Sequence, residues 1–262
     1  MGSGPQRIVC LTEETTEIAF AVGAGERVVG VTGYAIRPPE ARKKPKVAAF
    51  QTAHVERILA LEPELVLGFS DLQAEIAREL IRAGVTVLIT NQRTLAETAQ
   101  AIRLIGAACG EPAAGEQLAE QFEAELAAIA ARPTRPARPP RVYFEEWDDP
   151  LISGIAWVSE LIERCGGEDI FPELRRCRAA PQRVVDPAEV VRRDPEVIVA
   201  SWCGKKARLE RIAARPGWDG IGAVREGRLY EIKSPDILAP GPSLLHGARQ
   251  LAAILDGVTG AA

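Results

Sequence analysis

A chain of 262 residues with 47% hydrophobic and 26% charged side chains has the composition of a folded globular protein, with room for two lobes at roughly 150 residues each. With 32 basic against 36 acidic side chains the net charge is -4 and no long basic run occurs, which excludes a protein built to grip a phosphate backbone. No apolar run approaches the roughly 20 residues that cross a bilayer, and the five scattered cysteines, without CxxC spacing, exclude a disulfide framework or a structural zinc site.

Residues 1–5 read as a cloning scar or a bare start, with no basic and apolar regions of a secretion signal, and an odd number of thiols points toward a reducing compartment. Residues 7–11 read as a buried strand, and Thr12 caps a helix that Gly23 and Gly25 stop. A second strand follows at 28–31. A short helix over 54–61 is ended by Pro63 and leads into a strand at 65–67, then an amphipathic helix over 71–82 and a strand at 85–89. Strands alternating with helices predict a mostly parallel sheet. Residues 94–110 and 113–131 read as helices, the second about 19 residues and ~30 Å long at ~1.5 Å per residue. The Pro/Arg run over 132–140 cannot continue a helix.

Beyond it the pattern restarts with a strand at 141–144, an acidic loop, and a helix through Trp157 to Ile162. Residues 57–67 align with 189–199, matching Pro63 to Pro195, and Gly25, Glu26 and Val28 align with Gly167, Glu168 and Ile170. This is an internal duplication. The predicted fold is α/β, with two Rossmann-like lobes joined by a long bridging helix: an N-terminal lobe over 1–110, the helix over 111–132 and a C-terminal lobe over 133–262, leaving a cleft for a ligand.

Ligands of parallel α/β lobes meet the C-terminal ends of the strands. The candidates there are Glu13 and Glu14, Tyr34, Phe50 and Gln51, Phe69, Arg93, the run from Glu145 to Asp149, the run from Trp202 to Lys206, and 233–236. Aromatics make up only 5% of the chain, yet Tyr34, Phe50, Phe69, Trp147 and Trp202 all fall on this edge, which suits a flat, stacking ligand. The alternative for each is ordinary packing. Glu145, Glu146, Asp148 and Asp149 offer a hard-cation site or an acid/base pair, or else form a solvated turn with Asp149-Pro150 opening the next helix. Cys203 beside Lys205 and Lys206 offers a thiolate nucleophile, or else a turn whose lysines reach an anionic ligand. His54 and His246 sit in no catalytic pattern, His54 reads as a capping or surface histidine, and no GxGxxG, Walker, HExxH or GxSxG motif occurs. A binding protein without catalytic or metal-ligating residues is expected.

Tyr34 followed by Pro38-Pro39-Glu40-Ala41, then Val47 to Gln51, Val55 to Val66, Ser153-Gly154 and Cys165 to Phe171, resemble in order the class III periplasmic substrate-binding proteins for corrinoids, haem and iron siderophores, above all the cobalamin (vitamin B12) binders. The resemblance implies the substrate-binding component of an ABC uptake system, a monomer holding a cobalamin-like corrinoid between its lobes with little closure. Tyr34, Phe50 and Phe69 fall where the family faces the corrin with aromatics, and Trp147 and Trp202 on contact-bearing loops. Arg93, Lys205 and Lys206 would meet acidic groups, and Glu13, Gln51, Glu146, Asp148 and Cys203 complete the set. The family docks on its permease through one glutamate per lobe: Glu56 matches the first, and Ala188 holds the second place, with Asp186 or Glu189 as substitutes, Glu189 being preferred. The loop over 234–242 lacks the family's acidic and arginine contacts, and the acidic run has no counterpart. The alternatives are a receptor for an iron siderophore, haem or another small molecule, including a cytosolic one without a transporter, and an enzyme using Glu145, Glu146, Asp148 and Cys203. The resemblance implies a periplasmic or extracytoplasmic place, and a native lack of a leader a cytoplasmic one.

Overall fold

Three consecutive buried residues form β1 (Ile8–Cys10), the central strand of a sheet covered on both faces. The computed structural model describes residues 4–259, so Met1, Gly2 and Ser3 of the expected bare start lie outside the described residues. The chain divides into two units: Met1–Glu123 with Ala239–Ser243, and Ala124–Leu238 with Leu244–Ala262.

In the first unit β1 leads to α1 (Glu13–Ala21), β2 (Val28–Thr32), β3 (Lys46–Ala48), α2 (Val55–Leu59), β4 (Leu65–Phe69), α3 (Ala74–Arg82), β5 (Val87–Thr90) and α4 (Leu95–Ala108). The sheet order is β3-β2-β1-β4-β5, all parallel. The order reverses between β1 and β4, so the crevice at that switch is bounded by the loops that begin at Leu11 and Ser70. One side of the sheet is packed by Val9, Leu11, Ile58, Val66 and Leu80. The division between units falls inside α5 (Pro112–Ala130). Among the described residues no helix is long and apolar enough to cross a membrane.

The second unit holds β6 (Arg141–Asp148), β7 (Leu151–Ser153), α6 (Ala156–Arg164), β8 (Glu168–Asp169), α7 (Pro187–Arg193), β9 (Val197–Ala200), α8 (Leu209–Ala213), α9 (Gly222–Arg225), β10 (Leu229–Glu231), α10 (Ser234–Ile237) and α11 (Leu244–Thr259). β8, β6, β9 and β10 pair in parallel, repeating the β2-β1-β4-β5 arrangement. The duplication reaches the backbone. Glu62 and Asp194, each preceding the aligned proline, are both left-handed, at φ 46° and 45°. Glu64 N donates to Arg7 O and Glu196 N to Arg141 O, both at 2.8 Å, starting the pairing at the same point.

One expectation is corrected. The strand does not stop at Phe144 to give a solvated turn and a helix from Asp149-Pro150; β6 runs on to Asp148, and Asp149-Pro150 turns it back into antiparallel β7. Acidic residues can extend the strand because three of their carboxylates find cations on neighbouring segments.

Candidate functional site

Because the first sheet is parallel, its strand C-termini lie along one edge, and they deliver Glu13, Tyr34, Phe50, Gln51, Phe69 and Arg93 there. Tyr34 is 50% exposed, Gln51 is exposed, Phe50 is half-buried and Phe69 is buried. The rings of Phe50 and Phe69 stand 6.4 Å apart at 40°, and the Arg93 guanidinium lies 5.0 Å from the Phe69 centroid. Arg93, expected to meet a ligand's acid, is buried and already donates to Asp71 at 3.2 Å and to Gln92 O at 3.0 Å. Beside this edge Ser70, Asp71, Ile81, Ile89 and Asn91 help line an open groove of about 640 Å3.

The first turns of α1 bring three carboxylates together. Burial, then the neighbouring Glu14 and Glu17 charges, push the Glu13 carboxyl up to about 8. Burial likewise raises Glu14 to about 7 against the hydrogen bond it accepts from Thr12 Oγ1, and it raises Glu17 despite the ion pair with Arg37 at 2.9 Å. Glu17 also accepts from Ser243 N at 3.2 Å. Glu17 and Arg37 were not among the sequence candidates; nothing in their local pattern sets them apart from surface residues.

In the second unit the acidic run is a hub of charge pairs. Arg215 binds Glu145 through two nitrogens at 2.5 and 2.9 Å, and buried Arg183 binds Glu146 through two at 2.6 and 3.0 Å. Lys205 pairs with Asp148 at 2.5 Å while its ammonium lies 3.9 Å from the Trp147 centroid and 5.0 Å from that of Trp202. Partial burial opposes ionisation of Asp148, but the Lys205 ammonium outweighs it and holds the carboxyl below its ordinary range. Trp147 is half-buried and anchored by its indole N–H on Asp149 O at 2.9 Å. Trp202, expected on the ligand edge, is packed into the core with Tyr143, Ile198 and Ile212, and its indole N–H donates to Glu145 at 3.0 Å. Cys203 and Lys206 are exposed. Lys205, expected to favour a Cys203 thiolate, is held by Asp148 and the two indoles instead. Three of the four carboxylates proposed for acid/base or cation chemistry, Glu145, Glu146 and Asp148, are therefore engaged as fasteners, and among the described residues no three His, Cys, Asp or Glu side chains are placed to hold a metal ion.

The sequence model of the periplasmic binding protein family matches residues 8–235. The chain belongs to that family. This periplasmic binding protein is similar to the vitamin B12-binding protein of Vibrio parahaemolyticus, 29% identical over 245 residues that cover 92% of this chain and 86% of the relative. It is similar to the uncharacterized ABC transporter substrate-binding lipoprotein YvrC of Bacillus subtilis, 29% identical over 257 residues covering 95% and 79%. Among solved structures, the periplasmic heme-binding protein RhuT from Roseiflexus sp. RS-1 in apo form matches with a TM-score of 0.85 and 29% identity, over 98% of this chain and 100% of that one. The class III fold expected from the sequence is thus shown. Of the two glutamates expected to dock on a permease, Glu56 of this periplasmic binding protein is exposed in the first turn of α2, whereas Glu189 is held by Arg192 at 2.5 Å and Arg193 at 2.6 Å on its own helix.

Proposed function

We propose that this protein is the substrate-binding component of an ABC uptake system and captures a tetrapyrrole-derived macrocycle, in the first place a cobalamin-like corrinoid. The observation that carries the reading is the aromatic set at the strand ends of the first unit: exposed Tyr34 and the tilted pair of half-buried Phe50 and buried Phe69. Tyr34 and Phe50 offer a flat ligand contacts worth about 0.5–1.5 kcal/mol apiece beyond buried area, and buried Phe69 backs the Phe50 ring. The vitamin B12-binding relative supports the corrinoid. The heme-binding neighbour, at the same 29% identity, supports haem as the second reading. Tyr34 favours haem in one respect: a haem iron accepts an axial phenolate, whereas cobalamin brings its own lower ligand.

Titration with cyanocobalamin, cobinamide and haemin, followed by calorimetry and visible absorption, tests the proposal. One-to-one binding of the corrinoids with weaker haemin binding supports the first reading. Preferential haemin binding, with an axial-ligand band lost in Tyr34→Phe, supports the second. Binding of none at high micromolar concentration sinks the macrocycle. The permease contact is proposed at exposed Glu56, so Glu56→Ala should leave ligand affinity unchanged and abolish stimulation of the reconstituted transporter.

A further inference from the structure

Gln73 has no solvent exposure, and nothing in its local pattern singles it out. It closes the short 3-10 turn Asp71–Gln73 that follows β4, and both ends of its amide are used. Oε1 accepts from Phe69 N at 3.0 Å, and Nε2 donates to Phe50 O at 2.9 Å. One side chain thus joins the last residue of β4 to the loop that follows β3, and these two segments carry the ring pair. The turn around it is closed as well: Gln73 N donates to Ser70 O at 3.1 Å, and Ser70, left-handed at φ 68°, accepts from Leu72 N on its hydroxyl at 3.3 Å. Gly68 leaves the space the amide occupies, since a Cβ there would stand 2.5 Å from Gln73 Oε1.

We infer that Gln73 is the positioning residue that holds Phe50 and Phe69 as a preformed pair, so that the first unit presents a fixed aromatic face to its ligand. The inference rests, for its consequence in binding, on the macrocycle reading above. The amide is needed because it supplies both an acceptor for Phe69 N and a donor for Phe50 O; a hydrocarbon of the same length supplies neither. The loop at 49–52 keeps its own bond, from Ala49 N to Thr52 O at 2.7 Å, so losing the amide frees the loops from each other without unravelling them.

The test uses the full chain labelled with 4-fluorophenylalanine, comparing wild type, Gln73→Met, Gly68→Ala and the core control Ile58→Val. In Gln73→Met and Gly68→Ala the fluorine signals of Phe50 and Phe69 are expected to shift and broaden together while those of core Phe122 and Phe144 stay. Affinity for whichever of cyanocobalamin or haemin the wild type binds is expected to fall roughly tenfold, on the scale of two lost neutral hydrogen bonds. Ile58→Val is expected to lower the melting temperature and move neither signal. In the wild type, the Gln73 side-chain amide protons are expected to resist exchange with solvent, a measurement that needs no variant to fold. Rapid exchange there, or unmoved Phe50 and Phe69 signals in Gln73→Met, overturns the clamp. Moved signals with unchanged affinity overturn its role in binding. If the wild type binds neither probe the macrocycle reading fails, and the fluorine and exchange results still decide the clamp.

Discussion

Arg215 grips Glu145 through both terminal guanidinium nitrogens, at 2.5 and 2.9 Å, on a carboxylate with no solvent exposure. The Trp202 indole donates to the same carboxylate at 3.0 Å, and the guanidinium lies 4.6 Å from the Trp218 centroid. Removing one partner of a buried pair strands the other charge, at about 3–5 kcal/mol. Arg215→Ala is therefore expected to lose about that much in denaturant unfolding, and adding Glu145→Gln to recover part of it. A loss below about 1 kcal/mol would show that the pair is not shielded from water.

Lys205 covers Trp147 and neutralises Asp148, so one substitution should move two observables. In Lys205→Ala the Asp148 carboxyl is expected to titrate higher than in the wild type, followed by carbon-13 NMR of the carboxylates. The Trp147 emission should change with it, because a cation over an indole face contributes about 0.5–2 kcal/mol and polarises the ring. An unchanged Asp148 titration would mean the ammonium is not there in solution.

Glu14 makes stability depend on pH with a definite sign. Its folded carboxyl is raised from 4.5 to about 7, so the folded state binds the proton more tightly than the unfolded state does. That contribution is fully present below the unfolded value and is lost as pH rises through the folded one. The melting temperature is expected to fall between pH 5 and pH 8, and Glu14→Gln to make the fall shallower, with raised Glu13 and Glu17 keeping the rest of the slope. A wild-type profile that rises across it contradicts the assignment.

The thiols should sort by burial. Cys10, Cys109 and Cys165 are buried, and burial pushes Cys109 up to about 11 and Cys165 up to about 12, while Cys203 is exposed. Iodoacetamide at neutral pH followed by peptide mass spectrometry is expected to label Cys203 first and those three only after unfolding. Early labelling of Cys165 would show that its segment opens.

Much of the fold was legible because its signals are local. Pro63 and Pro195 stop short helices, and the apolar runs after them are the buried strands β4 and β9. The duplication read from matching residues reappears as matched strand order and as the left-handed pair Glu62 and Asp194. Tyr34, Phe50 and Phe69 could be placed at strand ends for the same reason: in a parallel sheet, chain order alone decides which end of a strand a residue follows. The run from Glu145 to Asp148 was misjudged because local pattern reads its three carboxylates as solvent-facing, and only distant partners make an acidic strand end tolerable.

The sequence by itself determined the alternation of strands and helices and the repeat, since hydrophobic period, proline and glycine act within a few residues, and its resemblance to known binding proteins pointed to the family. Tertiary structure alone decided what the polar groups do. Gln73 reaches Phe50, Arg183 reaches Glu146 and Arg215 reaches Glu145 across separations of 23, 37 and 70 residues. A buried charge or amide must find a partner or forfeit its hydration, and which partner it finds depends on the loops that sheet order brings together, which no local pattern encodes.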